Sequence, residues 1–197
     1  MVYKRLSFVP VLVGVLLSAA GCGGSSKSTS TAGSQTTPAA EAKATASGDI
    51  PDNQVFLTLT SRPAGWSMRY PEGWTQRGSG ADVTLVDKSN AVHVVIARRP
   101  SPSSAGEAAK VKALQARDPS LQSKAPQMVR LKGGPAVKVS YQRQGPADPV
   151  TGKRLTLLVD RYALARAGRV ATVELSSPKG VDNVDGYRMM IESFRWL

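Results

Sequence analysis

Apolar and polar residues alternate with a period of two along much of the chain, and that pattern predicts a succession of short strands. Val55, Leu57 and Leu59 alternate with Phe56, Thr58 and Thr60, which suits a first strand with the three aliphatic residues on one face. Trp66 to Tyr70 is a second, stopped by Pro71 and the turn residues Glu72-Gly73. Asp82 to Asp87 and Ala91 to Arg99 read as a hairpin about Lys88-Ser89-Asn90. Val92, Val94 and Ile96 share one face of it, and His93 and Val95 the other. Met128 to Leu131, Gly133-Gly134 and Val137-Val139-Tyr141 predict another hairpin. Gln142 to Lys153 is rich in Gly, Pro, Asp and Thr and predicts an exposed loop. Arg154 to Ala165 and Arg169 to Ser176 are two long alternating strands joined by Arg166-Ala167-Gly168.

The period changes twice. Pro100 to Ser104 breaks the strand pattern, and Ala105 to Arg117 then has helical composition, with Ala108, Val111 and Leu114 or Gln115 in register and Pro119 closing it. After Pro178 and Gly180, Val184, Tyr187, Ile191 and Phe194 recur at helical spacing, so a final helix turns an apolar stripe to the core. Asp182 or Asn183 can cap its start. Strands joined by short turns imply antiparallel pairing. The expected class is α+β: an antiparallel sheet of about six strands packed with helices.

The first 50 residues follow neither period. Lys4 and Arg5 precede an apolar run from Leu6 to Leu17, and Ser18-Ala19-Ala20-Gly21-Cys22 follows, the three-part layout of a secretory signal over residues 1–21. A spanning helix needs ~20 apolar residues, more than this run supplies. Ala19-Ala20-Gly21-Cys22 resembles the lipobox of bacterial lipoproteins, with Ala19 where a branched residue is usual. That resemblance implies a diacylglycerol on Cys22, and two acyl chains anchor stably where one does not. Cys22 is the only cysteine, so no intramolecular disulfide can form. Residues 22–50 are mostly Ser, Thr, Ala, Gly, Gln and Pro, too poor in apolar surface to offset ordering entropy, and predict a disordered tether. Residues 51–197, with Trp66, Trp74 and Trp196, have the size of one domain.

Within that domain three stretches resemble the PsbP/Mog-like fold family. They are Trp66-Ser67-Met68-Arg69-Tyr70-Pro71-Glu72-Gly73-Trp74, Gly134-Pro135-Ala136-Val137-Lys138-Val139-Ser140-Tyr141, and Tyr187-Arg188-Met189-Met190-Ile191-Glu192-Ser193-Phe194-Arg195-Trp196. The resemblance covers most of residues 51–197 and implies an antiparallel sheet packed between helices. Its members include a photosystem II subunit, a Ran-binding protein and lipid-anchored envelope proteins of bacteria. One fold with unrelated roles does not choose among them. The anchor makes the envelope group the nearest comparison, and no calcium-binding or photosynthetic motif can be matched.

Charge is the strongest compositional signal. The chain carries a formal +12, and residues 51–197 hold 22 Lys and Arg against 12 Asp and Glu. Such a surplus attracts anionic surfaces. The candidate contacts are Arg98, Arg99, Lys110, Lys112, Arg130, Lys132, Lys153 and Arg154, with Arg166 and Arg169 close by in the sequence. Anionic lipid, wall polymer or an acidic protein would be the partner, whereas export argues against nucleic acid. A basic surface that follows from composition alone is the plainer alternative. His93 is the only histidine, which excludes multi-histidine metal sites and leaves one candidate base, read more simply as structural. No Gly-x-Ser-x-Gly elbow is present, and Gly78-Ser79-Gly80 reads as a turn. Asp182-Asn183-Val184-Asp185 lacks the remaining ligands of a calcium loop and reads as a helix cap. Trp66, Tyr70 and Trp74 read as a packed corner of the core rather than a groove. No catalytic, metal or cofactor residues are expected. The expected role is a non-enzymatic binding or accessory lipoprotein on the outer face of the cell membrane. An envelope hydrolase acting on wall glycan or lipid ester, and a carrier of an apolar ligand, are the alternatives.

Overall fold

The computed structural model describes residues 37, 39, 40, 43 and 47–197. The signal segment, Cys22 and most of the expected tether lie outside the described residues. Eleven strands and two helices are described: β1 (Phe56–Ser61), β2 (Trp66–Pro71), β3 (Thr75–Ser79), β4 (Asp82–Asp87), β5 (Asn90–Arg98), α1 (Ser104–Gln115), β6 (Gln122–Ser123), β7 (Gln127–Leu131), β8 (Gly134–Ala147), β9 (Arg154–Arg166), β10 (Arg169–Pro178), α2 (Val184–Ser193) and β11 (Arg195–Trp196). Every pairing is antiparallel. A small sheet has the order β1-β2-β11, and a large one the order β3-β4-β5-β10-β9-β8-β6, with β7 also on β8. The class is α+β, as the periodicity implies.

Alternation gives the large sheet two distinct faces. One carries Val83 and Leu85, Val92 and Val94, Ala171, Val173 and Leu175, and Leu164. All are nearly sealed from solvent and packed with Trp66, Met68, Met190, Ile191 and Phe194. The small sheet and α2 therefore cover this face. Trp66 stacks on Phe194 with centroids 6.1 Å apart, and Phe194 meets Trp196 edge-on at 5.4 Å. The other face carries Val139, Tyr141, Leu157 and Val159 against Val111 of α1 and Leu121. β8 and β9 contribute side chains to both cores.

Hairpin chemistry holds the long strands in register. Ala167 and Gly168 have φ of 50° and 71°, so the two-residue β9–β10 turn twists with its strands. Trp66, Tyr70 and Trp74 form the expected corner: both tryptophans are buried, and Trp66 donates its indole N–H to the Gly80 carbonyl at 2.9 Å.

The structure differs from the sequence reading at identifiable points. β3 and β6 take the large sheet beyond about six strands, and Gly78 and Ser79 lie in β3 rather than in a turn. The expected loop 142–153 shrinks to 148–153, because β8 runs on to Ala147 against β9 across a register shift between Gln144 and Ala147. Val55, just before β1, and Leu57 within it are exposed, while Phe56 and Leu59 touch the core. In α1 Ala108 is exposed and Glu107 takes the inward position, drawn there by Arg161. Val184 is exposed, and Met190 completes the stripe of α2 instead. Gly48 to Ile50, assigned from sequence to the tether, pack on the domain. Asn90 donates to the Gly48 carbonyl at 2.5 Å, and the Ile50 N–H donates to Asn183 Oδ1 at 2.7 Å. Asn183 thus uses its side chain on this strap rather than as a helix cap.

Candidate binding cleft

α2 and the small sheet together cover only part of one face of the large sheet. Toward β8 and its edge strands the same face opens into a cleft of about 890 Å³. Its position follows from β6 and β7, which pair in succession with the outer side of β8 and form a rim, opposed by the outer side of α2. Val129, Leu131, Leu158 and Ile191 supply apolar wall.

The floor is a two-by-two array set by register. Lys138 pairs with Tyr162 and Ser140 with Asp160, so four polar side chains rise from one face of β8 and β9. The Ser140 hydroxyl donates to Asp160 Oδ1 at 2.5 Å, and Lys138 Nζ stands 2.8 Å from Asp160 Oδ2 and 5.3 Å from the Tyr162 ring centroid. Partial burial works to lower the pKa of the Lys138 ammonium, but the hydrogen bond and charge of Asp160, with Tyr162, outweigh it and raise the pKa above its ordinary value. Burial, then the Asp160 charge, raises the pKa of the Tyr162 hydroxyl. The charges on this floor compensate one another, so it offers hydrogen-bonding groups without a net attraction for ions of either sign.

From sequence, Lys138 and Ser140 belong only to the family-like strand, and none of the four is expected to form a site. A signal was present: β8 and β9 have apolar neighbours on both faces for most of their length, as in doubly covered strands. Lys138, Ser140 and Asp160 interrupt that run on one face, where the cover ends.

The eight basic residues expected to act together are not brought together. Arg98 ends β5 and Arg99 follows it, and Arg130 near the end of β7 and Lys132 in the β7–β8 turn lie at the same end of the large sheet. Lys153 and Arg154 lie at the opposite end of β9, with Arg154 donating to the Gly145 carbonyl at 2.9 Å. Lys110 and Lys112 belong to α1, on the far face from the cleft, where Lys110 pairs with Glu107 at 2.6 Å.

His93 also lies on that far face. Its Nε2 is 2.8 Å from the exposed carboxylate of Asp82. It shares a depression of about 220 Å³ with Thr84, Glu174 and Ser176, and the Ser176 hydroxyl donates instead to the Ala91 carbonyl at 3.2 Å. Histidine and cleft are on opposite sides of the sheet. Asp185 pairs with Arg188 at 3.2 Å, and Asp182 accepts from the Val184 N–H at 3.4 Å. Among the described residues, no three His, Cys, Asp or Glu side chains converge and no helix is long and apolar enough to cross a membrane.

No family model matches the chain, and no curated protein matches it in sequence. Solved structures do share its architecture. The cyanobacterial PsbP (CyanoP) of Synechocystis sp. PCC 6803 superposes with a TM-score of 0.53 at 15% identity, over 76% of this chain and 98% of that one. The Ran-binding protein Mog1p of Saccharomyces cerevisiae gives 0.50 at 9% identity, over 73% of this chain and 96% of its own. The fold is PsbP/Mog-like. At such identities the likeness extends to the fold alone, and the PsbP/Mog-like fold itself does not dictate a role.

Proposed function

We propose that this chain is an exported lipoprotein whose PsbP/Mog-like domain is a non-enzymatic binding module, held at the outer face of the membrane through Cys22 and engaging an envelope component or protein partner. The observation that carries the binding role is the open cleft between α2 and the large sheet, with its self-neutralised floor and apolar walls. A concave site with a few convergent polar groups on mostly apolar surroundings is the usual form of a binding site. Nothing about the floor calls for a reaction: the Ser140 hydroxyl donates to a carboxylate already paired with an ammonium. The secretory layout of residues 1–21 and the lipobox-like Ala19-Ala20-Gly21-Cys22 support the address.

The test places a photo-crosslinking side chain at Leu158, on the cleft wall, and separately at Lys112, on the far face, in the full chain within its own cells. A defined adduct at Leu158 and none at Lys112 is expected. Equal labelling at both positions, or no adduct at Leu158, overturns the cleft as the binding site. In the same cells Cys22→Ala is expected to move the protein out of the membrane fraction, and retention there overturns the anchor.

A further inference from the structure

One end of the large sheet breaks a rule that the rest of the domain obeys. Arg98 of β5 pairs with Arg169 of β10, which pairs with Arg166 of β9. Three arginines therefore leave the same face side by side on adjacent strands. Like charges directly opposite across a ladder destabilise a sheet.

Part of that cost is offset locally. Arg166 donates to the Trp196 carbonyl and Arg169 to the Ala64 carbonyl, each at 3.0 Å, and the Arg169 guanidinium lies 5.2 Å from the Trp196 ring centroid. Arg98 and Arg99 are exposed, and the Arg99 N–H, bonded to the Gly168 carbonyl at 3.3 Å, keeps that residue beside the β9–β10 turn. Arg130, on the other face of β7 from Val129 and Leu131, and Lys132 in the β7–β8 turn add two more cations at the same end of the sheet. Five neighbouring strands at ~4.8 Å spacing make this a band ~20 Å across. Among the described residues, none of the six cations forms an ion pair with a carboxylate.

We propose that this arginine-rich end of the sheet is a binding surface for a linear polyanion of repeating phosphate groups lying outside the membrane. A group of cations without carboxylate partners matches phosphates in series, and arginine binds each in a two-point geometry that lysine lacks. Position supplies the second argument. The chain joins the domain at Gly48, bonded to Asn90 at the start of β5 and to Asn183 at the start of α2. Arg98 lies at the other end of β5, ~26 Å away along the strand. The inference rests on Cys22 being the anchor, which would hold the domain outside the membrane; the point where the chain enters the domain and the cationic band are at opposite ends of β5.

The full chain in detergent is titrated with long-chain inorganic polyphosphate and, in parallel, with phosphatidylglycerol vesicles at equal phosphate concentration. Polyphosphate is expected to bind more tightly, with an affinity that falls steeply as salt rises. The triple variant Arg98→Gln, Arg99→Gln, Lys132→Gln should lose roughly tenfold or more of that affinity. Lys112→Gln, Lys153→Gln, Lys179→Gln removes the same charge elsewhere and should stay within about twofold. The row variant should also melt higher than the parent at low salt, because repulsion along the ladder is relieved. Equal loss in both triples would show a response to net charge alone, and tighter binding to vesicles would name the membrane as the occupant; either result overturns the proposal. Fractionation of Cys22→Ala reads the anchor separately, so failure of the address and failure of this surface are told apart.

Discussion

Glu107 stands where the helical periodicity of α1 asks for an apolar side chain. Its side chain is 1% exposed and meets Arg161 of β9 at 3.3 Å and Lys110 at 2.6 Å. Arg161 also pairs with Glu174 of β10, which accepts from the Tyr141 hydroxyl at 3.1 Å. The carboxylate is thus a polar point of attachment of the helix to the sheet, beside the apolar core of Val111, Leu121, Val139, Tyr141, Leu157 and Val159. A buried ion pair contributes little net stability against an apolar replacement, yet removal of one partner leaves an uncompensated charge. Glu107→Ala should accordingly cost about 3 kcal/mol in urea denaturation. Glu107→Leu with Arg161→Met should recover much of that loss, and a double variant as unstable as the sum of the singles would contradict the account.

At the scale of elements, β3 shows how a strand exists without a sequence pattern. All five of its residues are exposed, so nothing in Thr75-Gln76-Arg77-Gly78-Ser79 alternates. Its order comes from the ladder with β4 and from Gly78, whose φ is +74° and whose position would bring a Cβ within 2.4 Å of the Asp82 carbonyl oxygen. Gly78→Ala should destabilise the domain by about 1–3 kcal/mol and speed amide exchange in β3 and β4 first. The long hairpins were legible because one face of each strand is apolar and their turns carry Gly or Asn. β6 and β11 were not, because two-residue strands have no period. The continuation of β8 past Gln142 was hidden by Gly145 and Pro146, tolerated where the register shifts. The cleft was illegible for a related reason: periodicity reports which face is buried, not where along a face the cover stops. Lys138, Ser140 and Asp160 mark that boundary only once β8 and β9 are set side by side. The strap at Gly48 depends on Asn90 and Asn183, each of which sequence assigns more simply to a turn or a cap.

Across the whole molecule, the buried ionisable groups with resolved shifts bias stability in one direction. Burial foremost raises the Tyr187 and Tyr141 hydroxyls far above their ordinary value of 10.0, Tyr141 being raised further by the charge of Glu174. Tyr162 is raised from the same value, and Lys138 from 10.5. A group whose pKa is higher folded than unfolded makes the folded state bind more protons once pH passes the unfolded value, so its contribution is complete below that value and is lost above it. All four act together, and all four are among the residues that line the cleft. Stability should therefore be insensitive to these groups from neutral pH up to about 10 and fall steadily beyond it. Tyr187 donates its hydroxyl proton to the Ser176 carbonyl at 2.6 Å, between α2 and β10, so its ionisation detaches the helix that walls the cleft. Urea midpoints followed from neutral to alkaline pH should fall less steeply for Tyr187→Phe than for the parent, because a phenyl ring has no proton to lose. An identical alkaline slope in the two proteins would show that the loss arises elsewhere.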